Sequence, residues 1–137
     1  MEQEIAGGRL SRPVTDRDHM KGPEQAQVTL VLYGDYQCPY TRKAFFIVDE
    51  VLRRTRDWTR FVFRHAPRDE SLHEFARMAA KAAEAAAAQG KFWEMHEYLF
   101  ECVEADEMDR ESLELYAEEV GLDMEQFRRD LDDRAVA

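Results

Sequence analysis

The stretch Val28-Thr29-Leu30-Val31-Leu32-Tyr33-Gly34-Asp35-Tyr36-Gln37-Cys38-Pro39-Tyr40-Thr41 decides the fold. Its first six residues are β-branched, aliphatic or aromatic, and Gly34 ends the run. A continuous apolar run of this kind predicts a strand buried on both faces. Asp35-Tyr36-Gln37 then leads as a loop to Cys38-Pro39, and proline is favoured in a first helical turn, where its missing N–H costs nothing. Beyond it Tyr40, Ala44, Val48, Val51 and Leu52 recur at helical spacing, with Phe45 and Ile47 widening the stripe. Arg53, Arg54 and Arg56 crowd the end of that helix, where the dipole favours positive charge. Arg60-Phe61-Val62-Phe63-Arg64-His65 reads as a second strand, closed by Ala66-Pro67. Strand, helix and strand within about 40 residues predict a parallel βαβ unit.

Working outward, the C-terminal side is helical. The alanine-rich run Ser71–Gln89 is a strong helix former with Gly90 as its stop. Phe92, Trp93, Met95, His96, Leu99 and Phe100 mark a second helix with a broad apolar face. Asp109 reads as the N-cap of a third, carrying Leu113, Leu115, Tyr116 and Val120 and ending at Gly121. Asp123 with Gln126 three residues later starts a fourth, through Phe127 and Leu131. On the N-terminal side, residues 1–21 are polar and punctuated by Gly7-Gly8, Pro13 and Gly22-Pro23. They read as a flexible lead with a short edge strand around Arg12–Thr15. The expected organisation is a lead over 1–21 and one domain over 22–137, its βαβ unit at 28–67 and its helical part at 70–133.

Composition bounds the function. The chain has 137 residues, 45% of them hydrophobic, so a core is expected. Nineteen basic side chains against 29 acidic ones give a net charge of −10. That balance argues against a nucleic-acid partner and against an anionic membrane surface. No run is apolar enough to span a bilayer, the N-terminus lacks the pattern of a secretory signal, and a cytoplasmic location is expected. Two cysteines, Cys38 and Cys102, are too few for a disulfide framework. With four histidines, only His96 lies near a cysteine, at a spacing unlike paired metal ligands, so no metal site and no cofactor are expected.

Cys38 is the position that carries chemistry. A thiol at the opening of a helix faces the positive dipole end and free backbone N–H groups, which favour the thiolate, the attacking species in disulfide exchange. The alternative is a small buried hydrophobe, as free cysteines usually are. Cys102 reads as a helix-end residue, with a resolving thiol as the alternative. His65, His73 and His96 read as hydrogen-bonded structural histidines, and Tyr36, Tyr40, Phe45 and Trp93 as core or as a groove near Cys38.

The segment Gly34–Arg42 resembles the active-site segment of DsbA-like thiol–disulfide oxidoreductases in the thioredoxin superfamily. Gly22-Pro23 through Val28–Val31 resembles that family's entry strand, Phe61–His65 its second strand, and Gln89–His96 a junction inside its helical insertion. The resemblance covers about residues 12–133. It implies an α/β fold, a thioredoxin-like βαβ unit with a DsbA-type helical insertion, whose C-terminal ββα half is missing here. It places Cys38 as nucleophile within the motif Cys38-Pro39-Tyr40-Thr41. Fully active members carry Cys-x-x-Cys. Thr41 at the resolving position cannot close a disulfide, although its hydroxyl could reach the Cys38 thiolate. The expected activity is therefore monothiol exchange with protein or low-molecular-weight thiols and disulfides, against the alternative of a redox-inactive binding or assembly module. A third, weaker reading, cluster or metal ligation by Cys38 across a dimer, lacks a further thiol donor. The missing strand pair would leave the Val28–Tyr33 strand open, so a homodimer through that edge or the adjacent helix is expected, unless residues 1–21 fold back over it.

Overall fold

A computed structural model describes residues 10, 12–69 and 71–133. It contains β1 (His19–Lys21), β2 (Val28–Gly34), α1 (Pro39–Arg54), β3 (Thr59–His65), α2 (Ala76–Ala87), α3 (Phe92–Glu101), α4 (Arg110–Val120) and α5 (Met124–Asp132). The sheet order is β1-β3-β2. β2 and β3 pair in parallel from Val28↔Thr59 to Gly34↔His65, which establishes the βαβ unit. β1 pairs antiparallel with the other side of β3, from His19↔Phe63 to Lys21↔Phe61.

Several sequence expectations shift in register or face. The strand buried on both faces is β3, not β2. Phe61, Val62 and Phe63 are buried, whereas Val28 and Tyr33 at the two ends of β2 are each 44% exposed. β3 holds the centre because β1 closes its second side, which leaves the outer edge of β2 unpaired among the described residues. The N-terminal strand is His19–Lys21 rather than Arg12–Thr15. Those earlier residues are held by a side chain instead of a ladder: the buried Arg64 guanidinium donates to the carbonyls of Arg12 and Pro13 and to both Asp18 carboxylate oxygens. The reading of residues 1–9 and 11 as a flexible lead lies outside the described residues. In α1 the inward face is Thr41 and Phe45, with Val48 and Leu52 packed against the core, while Tyr40, Ile47 and Val51 face outward.

The helical part follows local chemistry closely. Asp109 caps α4 by accepting from the Ser112 N–H, and Asp123 caps α5 by accepting from the Gln126 N–H. Gly90 and Gly121 stop α2 and α4 at φ 75° and 90°, backbone angles that favour glycine. α2 buries Ala76, Ala79, Ala80, Ala82, Ala83, Ala85 and Ala86, a face of small residues that admits close neighbours. Met95 and Leu99 of α3, Leu113 and Ala117 of α4, and Phe127 and Leu131 of α5 share its core. β1 is fastened to this layer by Lys21 Nζ over the Trp93 ring and by the Trp93 indole N–H donating to the Met20 carbonyl. Among the described residues, no helix is long and apolar enough to cross a membrane.

Candidate functional site

Cys38 is the N-cap residue of α1 and Pro39 its first helical residue. The thiol is partly exposed and free. Its backbone N–H donates to the Asp35 carbonyl at 3.0 Å, and its carbonyl accepts from the Arg42 N–H at 2.9 Å. The sulfur thus stands where β2 has ended and the helix begins, with no acidic residue in the first turn of α1. Tyr40, 80% exposed, projects outward beside it. Thr41 is buried, and its hydroxyl accepts from the Asp35 N–H at 3.3 Å. Among the described residues no hydrogen bond reaches the Cys38 sulfur, so Thr41 braces the loop rather than the thiol.

The loop between β2 and α1 is wired to the helical layer residue by residue. Asp35, 4% exposed, accepts from the N–H groups of Gln37 (2.7 Å) and Arg68 (2.8 Å) and pairs with His73 Nδ1 at 2.7 Å. The Gln37 amide donates to the Ala105 carbonyl and accepts from the Phe75 N–H. These contacts explain why α2 begins at Ala76 and not at Ser71: His73 and Phe75 are captured by the loop, which holds residues 71–75 in turns. The Arg42 guanidinium donates to the carbonyls of Tyr36 (2.9 Å), Leu99 (3.1 Å), Phe100 (3.4 Å) and Val103. One side chain from the first turn of α1 therefore satisfies orphan acceptors at the end of α3. Cys102 is exposed at the C-cap of α3, one residue before Val103.

Beneath the loop, Tyr36 and His96 are buried and joined, hydroxyl to Nδ1, at 2.9 Å. Burial holds the His96 imidazole well below its ordinary range and the Tyr36 phenol well above its own. The unfolded chain protonates His96 near pH 6.5, whereas the folded protein keeps it neutral. The unfolded state therefore binds more protons below that pH. His96 contributes stability above about pH 6.5 that is lost as the pH falls. Denaturant unfolding at pH 7, 6 and 5 is expected to show a decline of at most about 1.4 kcal/mol per pH unit from this group. His96→Gln, which keeps a partner for Tyr36, is expected to flatten the decline; an unchanged slope would assign it elsewhere.

Sequence reading singled out Cys38, Pro39, Tyr40 and Thr41, and the structure keeps them contiguous at the helix start. It did not single out Asp35, Gln37 or Arg42 as supports. The one signal was their place inside the quoted Gly34–Arg42 segment. Tyr36 and Phe45 belong to the core, while Trp93 packs partly buried against it. Among the described residues, one group offers three metal-type donors, His19, His65 and Glu84.

A family model described as thioredoxin matches residues 14–137. A thioredoxin-like oxidoreductase from Silicibacter pomeroyi superposes with a TM-score of 0.77 at 33% identity, covering 89% of this chain and 67% of that one. The thiol-disulfide exchange protein alpha-DsbA2 from Wolbachia pipientis superposes with a TM-score of 0.73 at 22% identity, covering 87% and 61%, a likeness of fold alone. Among curated proteins, a Na(+)/H(+) antiporter NhaA of Salinispora tropica is 48% identical over 124 residues, 89% of this chain and 18% of the antiporter. A second, from Mycolicibacterium vanbaalenii, is 43% identical over 129 residues, 93% of this chain and 20% of that protein. The chain spans about a fifth of the length of the curated relatives it matches. With a thioredoxin match over nearly its whole length and a neighbour of the same build at 33% identity, this chain belongs to the thioredoxin family, and it shares its fold with DsbA-like proteins.

Proposed function

We propose that the chain carries out monothiol disulfide exchange through Cys38. The observation that carries this reading is the partly exposed, unbonded Cys38 sulfur at the N-cap of α1, followed by Pro39. The thiolate attacks one sulfur of a disulfide R–S–S–R′, forms a Cys38–S–S–R bond and expels R′–S⁻, which takes a proton from water. An external thiolate R″–S⁻ then attacks the R sulfur, releasing R–S–S–R″ and restoring the Cys38 thiolate. No net oxidation occurs, and Thr41 takes no part in the exchange. The reading includes a cytoplasmic location, where reducing thiols would supply the resolving step.

Incubation with an oxidised low-molecular-weight thiol is expected to modify Cys38 faster than the exposed Cys102, the Cys38 adduct being absent in Cys38→Ser and released by added thiol. Insulin reduction by the wild type is expected to stay at background, and Thr41→Cys to raise it. Modification of the unfolded chain with none of the folded chain would defeat the exchange reading. The binding-module reading would then stand. Its proposed partner is a membrane transporter, since the antiporter-named relatives carry a similar stretch over about a fifth of their length.

The same chain is proposed to associate as a homodimer. Support comes from the unpaired outer edge of β2 and from Phe46, Ile47 and Val51, which lie exposed on α1. β1 pairs with β3, and among the described residues no strand pairs with that edge. Sedimentation equilibrium at micromolar concentration is expected to give twice the 16.1 kDa chain mass. A monomer would remove the proposal.

A further inference from the structure

Three donor atoms from distant parts of the chain converge beside the N-terminal segment. His19 opens β1, His65 closes β3, and Glu84 is the one acidic residue of α2. Nε2 of His19 and Nε2 of His65 lie 2.5 and 2.8 Å from the same carboxylate oxygen, Glu84 Oε2. All three donor atoms fall within 4.8 Å of one another. They line a cavity of about 750 Å³ between the N-terminal segment, the end of β3 and α2.

We propose that His19, His65 and Glu84 form a site for a divalent cation of the zinc type, with one coordination position open to this cavity. Two imidazole nitrogens and one carboxylate oxygen are a three-ligand set suited to Zn²⁺, whose bonds to such atoms are about 2.0–2.2 Å long. Tetrahedral bonds of that length set neighbouring donors about 3.3 Å apart, so each imidazole nitrogen needs to part from the Glu84 oxygen by less than about 1 Å. The backbone can stay still, because the donors already sit on two strands and a helix. His19 is further fixed by stacking on Phe92, ring centroids 3.6 Å apart and planes 4° from parallel. The cavity supplies the remaining ligand, water or a small anion, and the Arg17 and Arg77 side chains on its wall favour the anion.

The metal-free arrangement shares one oxygen between two imidazoles. Cation binding replaces both hydrogen bonds with metal–ligand bonds. A neutral imidazole moves its hydrogen from Nε2 to Nδ1, and an imidazolium releases one proton to water. The Nδ1 atom of His65 is buried without a hydrogen-bond partner. Its lack of outer support is expected to leave affinity about 10- to 100-fold below that of a fully braced site.

The test is titration of the full chain with Co²⁺, read by its visible absorption, and competition by Zn²⁺. One equivalent is expected to bind with the spectrum of a four-coordinate ion lacking thiolate ligands. Binding is expected to survive in Cys38→Ser/Cys102→Ser and to weaken about tenfold or more in Glu84→Gln and His65→Gln. His19→Gln, on the three-residue edge strand, gives the same reading if either of the others does not fold. Absence of stoichiometric binding, loss with the cysteines, or unchanged affinity in the histidine and glutamate variants would overturn the proposal. None of these outcomes depends on exchange at Cys38.

Discussion

Arg42→Ala is expected to lower the melting temperature by about 10 °C and to slow mixed-disulfide formation at Cys38. The guanidinium is the one group that reaches from the first turn of α1 to four carbonyls, those of Tyr36, Leu99, Phe100 and Val103. Truncation leaves these acceptors without their charged donor. Each costs on the order of 1 kcal/mol, about 3 kcal/mol together once water reaches the more open ones. For a domain of this size that corresponds to roughly 10 °C. Arg42→Lys is expected to recover only a small part, because an ammonium cannot present the planar fork that serves several carbonyls at once. Calorimetry of the two variants checks the first effect, and the rate of adduct formation checks the second. A melting temperature within about 2 °C of wild type would show that the α1–α3 connection rests on packing instead.

Gly34→Val carries the second large effect. Gly34 sits at the last position of β2, paired with His65, and its carbonyl accepts from the Ala66 N–H at 2.7 Å. A Cβ there would stand 2.6 Å from the Phe63 ring and 2.7 Å from the Thr41 methyl. Neither neighbour can retreat. Phe63 is ringed by Tyr36, His65, Phe92, His96 and Phe100, and Thr41 is buried in the first turn of α1. Overpacking of this kind costs about 1–3 kcal/mol, and valine belongs at the upper end because two further methyl groups follow the Cβ. The loop must also shift, since Thr41 would release the Asp35 N–H. Equilibrium unfolding in urea measures the loss. A loss below about 0.5 kcal/mol would mean that the close approach of strand and helix is not a constraint.

Much of the architecture was legible because it depends on local chemistry. Asp109, Asp123, Gly90 and Gly121 mark helix ends by interactions within a few residues, and the βαβ unit follows from two apolar runs around one periodic segment. What could not be read depends on partners far along the chain. The burial of β3 rather than β2 is set by β1, a three-residue strand too short to carry its own pattern. The late start of α2 is set by Asp35 and Gln37, 38 residues upstream. Periodicity gave α1 a stripe including Tyr40, Ile47 and Val51, yet the structure turns these outward. At the candidate site, Cys38 and its neighbours were visible as one contiguous motif. Arg42 carried no signal beyond its place in the Gly34–Arg42 segment, because its four acceptors lie in the loop before α1 and at the far end of α3. His19, His65 and Glu84 share no spacing that a linear reading would flag.

The fastening of β1 also constrains the order in which the molecule assembles. His19 bonds to Glu84, the Met20 carbonyl to Trp93, and Lys21 to Glu97, across 65, 73 and 76 residues of chain. By contrast, β2 and β3 are about 30 residues apart and close a far smaller loop. During synthesis β1 leaves the ribosome before any of these partners exists. Its ladder on β3 can form once the βαβ unit has emerged, but these three fastenings must wait for α2 and α3. The N-terminal strand, first of the described elements to be made, is thus seated on β3 before it can be locked to the helical layer.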